Sequence, residues 1–459
     1  MSAIRRAAVH GVGMTTLLLA GCAGYERRDL DVNATREAWL ARTADNESVL
    51  VFAKKLSEQE HVTNFDPHDG LTLVEGEVVA LVFNPDLRIA RLEANVAKAG
   101  EKFAGLWEDP VLGVDMERVV RGVDGANPWV VGGTVELTVP LSGRLDAAKS
   151  HASAVARAEL DRVAAKEWAT RAALRELWLE WSAAQRRVEV GKELVERFRE
   201  VSDIAELQKN AGVMSRTDAR LFAVELASKE ADLIGLNARA KELELQVRAM
   251  MGLSASDTTE LVASLVLEST ELDEDALRAQ IEATNPELAA VRAQYEVAEQ
   301  ALRTEVRKQY PDLVIGPGLA TDQGDDRVLL GIRLPLSLWN RNQKGVAEAD
   351  AKRETARGVF ETTYEQLASR LAIALLRFRA GRKQREAIER SVVPLADDQL
   401  ADVRKIAELG RVEPLMLLEA IKTQHEARIR LIDARLAEAV GMARVRELIG
   451  PTTQVSQKH

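Results

Sequence analysis

The spacing of apolar residues predicts very long helices in this chain. Residues 142–201 contain no proline, and their apolar positions recur every seven residues along two rows. The first row is Leu174, Trp181, Val188 and Val195, and the second is Leu177, Ala184, Gly191 and Phe198. This spacing is typical of helices that pack side by side as coiled coils. At about 1.5 Å per residue the segment would extend roughly 90 Å, and residues 337–393 form a similar segment before Pro394.

Four shorter segments alternate apolar and polar residues with a period of two, which predicts β-strands. They are residues 110–120, 130–140, 312–320 and 328–336. In three of them one face is apolar, while the opposite face carries Asp115, Glu117, Glu136 and Arg333. The segments are about nine to eleven residues long, which suits a tilted strand in a bilayer. A soluble hairpin with one buried face would show the same alternation.

The predicted elements occur twice in the same order. Asn84-Pro85 and Asn285-Pro286 each begin a helix, because asparagine caps a helix and proline fits its first turn. Each helix is followed by two strand segments, a long helix, a glycine turn and a further helix. Asn285 lies 201 positions after Asn84, so the unit is far longer than the roughly 20 to 50 residues of a solenoid repeat. We therefore interpret the chain as a duplicated module.

Domain boundaries follow from this order of elements. A signal peptide would occupy residues 1–21, and a lipidated N-terminal segment would occupy residues 22–70. The first repeat is predicted at 71–253 and the second at 274–450, joined by a linker at 254–273 and followed by a tail at 451–459. Their helical hairpins would turn near residues 212 and 410.

The number of strands predicts an assembly of several chains. Each chain supplies four strands, and unpaired backbone groups at a sheet edge in lipid cost several kcal/mol each. Four strands cannot close into a barrel, since single-chain barrels need about eight or more. Two copies would give eight strands and three copies would give twelve, and strand counting permits either.

Cys22 is the only cysteine, and it ends a segment typical of a secretory signal peptide. Two arginines, a short apolar stretch and small residues precede it, and the stretch is too short for a membrane-spanning helix. The ending Leu19-Ala20-Gly21-Cys22 resembles the bacterial lipobox, in which the cysteine becomes the first mature residue and carries lipid. Ala23 after it resembles the address of outer-membrane lipoproteins. The alternative is an ordinary cleavage site beside a free cysteine.

Composition excludes several classes of function. The chain has 459 residues, 46% hydrophobic and only 4% aromatic, which suits long helices. Its net charge is −10 with both signs intermixed, so we expect no nucleic-acid partner. The six histidines are scattered, and neither a metal-ligand spacing, a phosphate-binding loop nor a nucleophile motif is present. We therefore predict a protein without catalytic residues, cofactor or resident metal.

The chain resembles the outer-membrane efflux protein family, also called the TolC family, in its lipoprotein branch. The resemblance covers residues 70–450 and rests on the order of several motifs. They are "LTLVEGEVVALVFNPDLRIARLEA", "NPELAAVRAQYEVAEQAL", "LPLSLWNRNQKGVAEADAK" and the "MGL" that closes the first repeat. It implies a mainly α fold with a small membrane β-barrel portion. A homotrimer would form a 12-stranded β-barrel in the outer membrane, continued by a 12-helix α-barrel in the periplasm.

The resemblance also implies a function, partners and sites. The protein would be a passive export duct for small molecules or metal ions, working with a periplasmic adaptor protein and an inner-membrane pump. The adaptor would dock on two turns, Gly212, Val213, Met214 and Ser215 in one and Gly410, Arg411 and Val412 in the other. Met416 and Glu419 would lie at the periplasmic aperture, where some members have two acids and this chain has one. Asp115, Glu117, Glu136 and Arg333 would line the barrel lumen. The alternative function is a lipid-anchored periplasmic coiled-coil scaffold that does not conduct.

Overall fold

The computed structural model describes residues 24–60, 65–118, 120–121, 128–265, 272–322, 325–408 and 413–451. The predicted signal peptide, Cys22 and the turn residues Gly410, Arg411 and Val412 lie outside these residues. Contacts divide the chain into two units, Met1–Arg42 and Thr43–His459. In the first unit the described residues form one helix, α1 at Val32–Leu40, which is capped by the Asp31 carboxylate. All elements below belong to the second unit.

The second unit consists of a helix followed by two similar sets of elements. The helix is α2 at Glu47–Glu60. The first set, here called the first repeat, is α3 Leu73–Phe83, α4 Pro85–Lys102, β1 Val111–Arg118, β2 Trp129–Val139, α5 Arg144–Asn210 and α6 Arg216–Met251. The second repeat is α7 Glu274–Thr284, α8 Pro286–Arg307, β3 Leu313–Asp322, β4 Asp325–Arg333, α9 Gln343–Ala387, a π-helical turn Ile388–Val392, α10 Val393–Glu408 and α11 Pro414–Ile449. The predicted fold class, mainly helical with four strands in a duplicated module, is confirmed.

The helix starts of the two repeats are built alike. The Oδ1 atom of Asn84 accepts hydrogen bonds from the backbone N–H groups of Asp86 and Leu87. The Oδ1 atom of Asn285 accepts one from Leu288 N–H at 2.8 Å. Each bond satisfies donors that the first turn of a helix leaves unpaired. The caps expected from the two Asn-Pro pairs are confirmed.

The four strands form one antiparallel sheet in the order β1-β2-β3-β4. Leu112 pairs with Val135 within the first hairpin, and Ile315 pairs with Ile332 within the second. The two hairpins join through β2 and β3, where Val131 pairs with Thr321. The sheet therefore crosses the boundary between the repeats.

The long helices continue from the strands and pack in pairs. Helix α5 has 67 residues and pairs with α6, and α9 pairs with α11. Seven of the eight residues in the predicted heptad rows are buried, and Leu177 is partly buried. The second long helix does not end at Pro394, because a π-helical turn at Ile388–Val392 connects α9 to α10. Within the described residues, no helix combines the length and the apolar character needed to cross a membrane.

Two hydrophobic clusters, at different positions along the long helices, hold the helices in contact. Trp178 and Trp181 of α5 pack edge to face, with ring centroids 5.5 Å apart, in a cluster that includes α3 and α6. Near the ends of the helical hairpins, Phe198 and Phe222 of the first repeat share a cluster with Leu418 of the second. The two hairpins are therefore packed against each other close to their turns.

Candidate functional sites

The sheet has one continuous apolar face, and that face is exposed. Pairing places alternate residues of all four strands on it. Its members are Leu112, Val114, Met116, Val131, Val135, Leu137, Ile315, Leu319, Val328, Leu330 and Ile332. Val328 is 84% exposed and Leu330 is 68% exposed. A contiguous apolar surface of this kind indicates contact with another protein or with lipid.

The opposite face of the sheet is polar and rich in glycine. Asp115, Glu117 and Glu136 lie on this face, as does Arg333, whose partner in the ladder is Val314. Gly132, Gly316, Gly318 and Gly331 lie there as well, so the middle of this face has almost no side chains. The register thus places all four predicted lumen residues on one face.

Two of those residues form an ion pair across an intervening strand. The Arg333 guanidinium of β4 contacts the Glu136 carboxylate of β2, and β3 lies between them. Gly316 of β3 lies beneath the pair, and a Cβ atom there would be in ordinary contact with Glu136 Cγ, at 3.6 Å. Asp115 and Glu117 are not part of this pair. A second ion pair on the same face joins Arg327 to Asp322 at 2.6 Å.

The sheet has two edges that could accept further strands. Within the described residues β1 pairs only with β2, and β4 pairs only with β3. Each outer strand therefore presents backbone donors and acceptors on one side. A sheet of this kind can reside in lipid only if other strands complete it.

The turn of the first helical hairpin, between α5 and α6, is described in full. Gly212 adopts φ +72°, and Val213 N–H donates to the Gln208 carbonyl, as in a glycine-terminated helix end. Val213 is exposed, whereas the side chain of Met214 packs on the cluster of the two hairpins. Ser215 caps α6 by accepting from Asp218 N–H at 3.1 Å.

In the second helical hairpin, the turn between α10 and α11 is described only from Glu413 onward. Met416 and Glu419 are exposed on the first turns of α11. Among the described residues Glu419 forms no ion pair. Its carboxylate is therefore available to solvent in a single chain.

A polar network lies beside the hairpin cluster and was not predicted from the sequence. Gln424 of α11 bonds both to the Arg197 guanidinium of α5 and to the Asp397 carboxylate of α10. Burial lowers the pKa of Arg197, and the nearby guanidinium groups of Arg428 and Arg404 lower it further. The signal that could have found this network is weak, since each residue is an ordinary polar member of a helix.

A buried carboxylate was also missed. Glu77 of α3 is 1% exposed and accepts from Arg171 at 2.9 Å and Arg175 at 2.5 Å. A sequence signal existed, because Glu77 directly precedes the apolar run Val78–Phe83 and the two arginines are four residues apart on α5. In the described part of the chain, no group of three or more His, Cys, Asp or Glu side chains could hold a metal ion.

Comparisons with known proteins agree with this architecture. The model of a family described as outer membrane efflux protein matches residues 78–253 and 277–451, which is most of the chain. The cobalt-zinc-cadmium resistance protein CzcC of Cupriavidus metallidurans is 25% identical over 224 residues, covering 48% of this chain and 53% of that protein. The match thus spans about half the length of this curated relative.

Solved structures show the same fold. A structure of CusC superposes with a TM-score of 0.69 at 15% identity, covering 83% of this chain and 92% of that chain. The outer-membrane channel OprN gives 0.70 at 17% identity, covering 94% and 98%. VceC of Vibrio cholerae gives 0.69 at 17% identity, covering 82% and 96%. At these identities the likeness concerns the fold alone.

Proposed function

The chain belongs to the outer membrane efflux protein family, and on that premise we propose that copies of it form a passive export duct through the outer membrane. The family comprises transport channels rather than enzymes. The proposed cargo is small molecules or metal ions, which would move from the periplasmic side to the exterior. The name of the curated relative refers to cobalt, zinc and cadmium, and this supports including divalent metal ions in the cargo class.

The observation behind this proposal is the two-faced sheet with two open edges. Its apolar face suits lipid, its polar glycine-rich face suits a wet lumen, and its outer strands suit closure by further copies. We propose three copies, which give twelve strands. The long helices that follow β2 and β4 would extend the duct into the periplasm. Asp115, Glu117, Glu136 and Arg333 would line its lumen.

The proposed partners and anchor are supported by the family, by the lipobox-like motif that ends at Cys22 and by the two helical hairpin turns. Cys22 would be lipidated and would hold the mature chain at the outer membrane. A periplasmic adaptor protein would dock at the hairpin turns, Gly212 to Ser215 in one and Gly410 to Val412 in the other, and an inner-membrane pump would deliver cargo. Met416 and Glu419, on the first turns of α11, would lie at the periplasmic aperture.

Neighbouring leucines on β4 provide a matched test. Leu330 lies on the apolar face and Leu329 on the polar face, so the same substitution meets lipid in one case and the lumen in the other. An arginine on the lipid face costs about 2–4 kcal/mol at the bilayer midplane, whereas lumen substitutions alter selectivity. We expect Leu330→Arg to reduce insertion into lipid vesicles strongly and Leu329→Arg to insert like the unmodified chain.

Conductance completes the test. Mature protein in a planar bilayer should give stepwise currents, and detergent-solubilised protein should have the mass of three chains. A solitary chain that leaves bilayers sealed would instead support the non-conducting scaffold. Equal insertion of the two arginine variants would contradict the assignment of the faces.

A further inference from the structure

A cavity of about 360 Å³ lies where the linker between the repeats crosses the long helices. Its walls come from the start of α3, from the linker and from helices α5, α9 and α11. The volume is within the range of roughly 300–1,000 Å³ that is usual for small-molecule sites. Val74 and Val262 line the cavity and are 46% and 39% exposed, so it opens to the surface beside them. A small solute can therefore enter it.

The linker forms a fixed wall of this cavity. Val262 N–H donates to the Leu71 carbonyl, just before α3, at 2.8 Å. The indole N–H of Trp178, on α5, donates to the Val262 carbonyl at 3.1 Å. Ser264 N–H donates to the Ser182 hydroxyl, also on α5, at 3.0 Å. These bonds hold the linker against α3 and α5, so the cavity has a built wall on this side.

One side of the cavity is apolar. Leu179 of α5, Phe378 of α9 and Met442 of α11 line it, and all three are buried. Ala439 and Ala443 of α11 line it as well, and their small side chains leave space between the larger ones. A surface of this kind suits the apolar body of a small molecule.

The charged groups of the cavity lie at two positions along α11. Among the described residues that line it, they are Arg175, Glu438 and Arg446. Glu438 accepts from Arg385 at 2.5 Å, so its charge is already balanced. Glu438 and Arg446 are eight residues apart on α11, which separates them by about 12 Å along the helix axis. The cavity therefore has an arginine end that is distinct from its acidic end.

The arginine end carries more positive than negative charge. Arg175 shares the Glu77 carboxylate with Arg171, at 2.5 and 2.9 Å. Burial lowers the pKa of Arg446, and the charge of Arg175 lowers it further, while Glu77 partly opposes this. Three guanidinium groups thus lie near one carboxylate. An added anion would reduce the repulsion between Arg175 and Arg446.

Another acid close by is already bound. Glu447 follows Arg446 on α11, and its carboxylate accepts from Arg444 at 2.8 Å. Arg444 and Glu447 line a different cleft, on the opposite face of α11. Arg444 is therefore a matched control for Arg446.

We propose that this cavity binds an amphipathic monocarboxylate, with its carboxylate at Arg446 and its apolar body against Phe378 and Met442. A guanidinium binds a carboxylate through two parallel hydrogen bonds, and such charge-assisted bonds are stronger than neutral ones. The bound molecule would touch the linker and the helices at once, so it should stabilise the fold. The site lies within one chain and goes beyond the proposed duct.

Calorimetric titration with naphthoate tests the site, because this probe has a rigid apolar body and one carboxylate. The mature protein would be held in lipid nanodiscs, with empty nanodiscs as the background. We expect saturable binding with one naphthoate per chain and a higher unfolding midpoint in its presence. The methyl ester of naphthoate lacks the charge and should bind about tenfold more weakly or worse.

Decanoate in the same titration distinguishes two sources of the ligand. Tighter binding of decanoate would identify a fatty acid, and tighter binding of naphthoate would identify an aromatic acid; either result supports the site. Saturable binding of neither compound would overturn the proposal.

Two pairs of variants locate the binding. Arg446→Gln should weaken naphthoate binding about tenfold or more, because it removes a charge-assisted bond, whereas Arg444→Gln should bind like the unmodified protein. Ser264→Trp would fill the cavity from the linker and should abolish binding, whereas Ala263→Trp, at the exposed neighbouring position, should not. Equal binding by both members of each pair would place naphthoate elsewhere and overturn the proposal.

The result is separable from the test of the proposed duct. A solitary, non-conducting chain that binds naphthoate at Arg446 would support this site and contradict the duct. Conducting trimers that bind neither carboxylate would leave the duct in place and overturn the site.

Discussion

The Nδ2 atom of Asn84 donates a hydrogen bond of 2.8 Å to the backbone carbonyl of Met250, 166 residues further along the chain. The second repeat contains the same bond, from Asn285 Nδ2 to the Leu448 carbonyl at 2.7 Å. Each asparagine thus caps the helix that it begins and also binds the end of the last helix in its repeat. Both ends of a repeat meet at one side chain.

This double role predicts the effect of a conservative change at Asn84. Aspartate keeps the capping oxygen and removes the Nδ2 donor, so Asn84→Asp should leave the Met250 carbonyl without its partner. We expect a loss of about 1–3 kcal/mol in unfolding free energy, the cost of an unpaired buried group. Thermal unfolding followed by circular dichroism would measure it.

Asn46 provides the matched control. It caps α2 through a bond from Ser48 N–H at 3.0 Å and is not part of a contact between repeats. Asn46→Asp should therefore unfold at nearly the same temperature as the unmodified protein. Equal midpoints for the two variants would mean that the bond to Met250 contributes no stability.

Gly252 and Gly450, which follow the last helices of the two repeats, allow a second prediction about stability. A Cβ atom on Gly252 would lie 2.2 Å from the Phe83 carbonyl oxygen, and one on Gly450 would lie 2.4 Å from that of Thr284. Gly212 has a similar φ of +72° but has open space around it. Gly212→Ala should lower the unfolding free energy only by the penalty of placing alanine in the left-handed conformation, about 1–2 kcal/mol.

Gly252→Ala must in addition separate α3 from the end of α6. We therefore expect a clearly lower unfolding midpoint for Gly252→Ala than for Gly212→Ala in the same calorimetric experiment. If both variants were equally stable, the close approach at Phe83 would not be a constraint.

The buried carboxylate of Glu77 predicts a third effect. Glu77→Gln leaves Arg171 and Arg175, whose side chains are 31% and 20% exposed, facing a neutral side chain, so the cost should lie below the roughly 3–5 kcal/mol of a fully buried pair. Glu167 also pairs with an arginine, Arg91 at 2.6 Å, but both side chains are about one-third exposed. Glu167→Gln should therefore cost about 0–1 kcal/mol. Chemical denaturation of both variants would compare them, and similar costs would contradict the role of burial.

Much of the fold could be predicted from the sequence because it depends on local rules. The alternation that predicts the strands and the Asn-Pro pairs that predict helix starts both depend on residues close together in the sequence, and both predictions are confirmed. The face assignment of Glu136 and Arg333 was correct for the same reason. Their mutual contact could not be predicted, because it depends on the register of three strands.

The π-helical turn shows where local rules failed. Proline lacks an N–H group and usually ends a helix, so residues 337–393 were expected to form a segment that stops before Pro394. A π-helical turn inserts one extra residue and changes the hydrogen-bond pattern just before the proline. The helix then continues to Glu408. Helix α10 packs against α11, a contact that the local sequence does not report.

The same turn predicts a pH dependence of stability. Glu389, within the π-helical turn, accepts from Arg435 of α11 and from Arg385, both at 2.6 Å. The bond from Arg435, together with that from Arg385, holds the pKa of Glu389 below its usual value. A lowered folded pKa means that the stabilisation is present above the unfolded pKa and is lost as the pH falls through the folded one.

Glu389→Gln should therefore lower the unfolding midpoint at neutral pH. The difference from the unmodified protein should shrink as the pH falls below about 4.3, where an unfolded glutamate becomes protonated. Glu361→Gln is the control, because Glu361 forms an exposed ion pair with Arg357 within α9. If the difference in unfolding midpoint between Glu389→Gln and the unmodified protein stayed constant from pH 7 to pH 3, the stabilising role of the ionised Glu389 carboxylate would be contradicted.

The ion pair of Glu136 and Arg333 predicts opposite changes in ion selectivity, provided that the polar face lines the lumen. Arg333→Gln removes a positive charge from each copy and leaves Glu136 unpaired, so the reversal potential in a KCl gradient should shift toward cations. Glu136→Gln should shift it toward anions, and the double variant should return close to the unmodified value. All shifts should diminish near 1 M salt, where the Debye length is about 3 Å. Shifts of the same sign in both single variants would mean that this face is not exposed to the permeating ions.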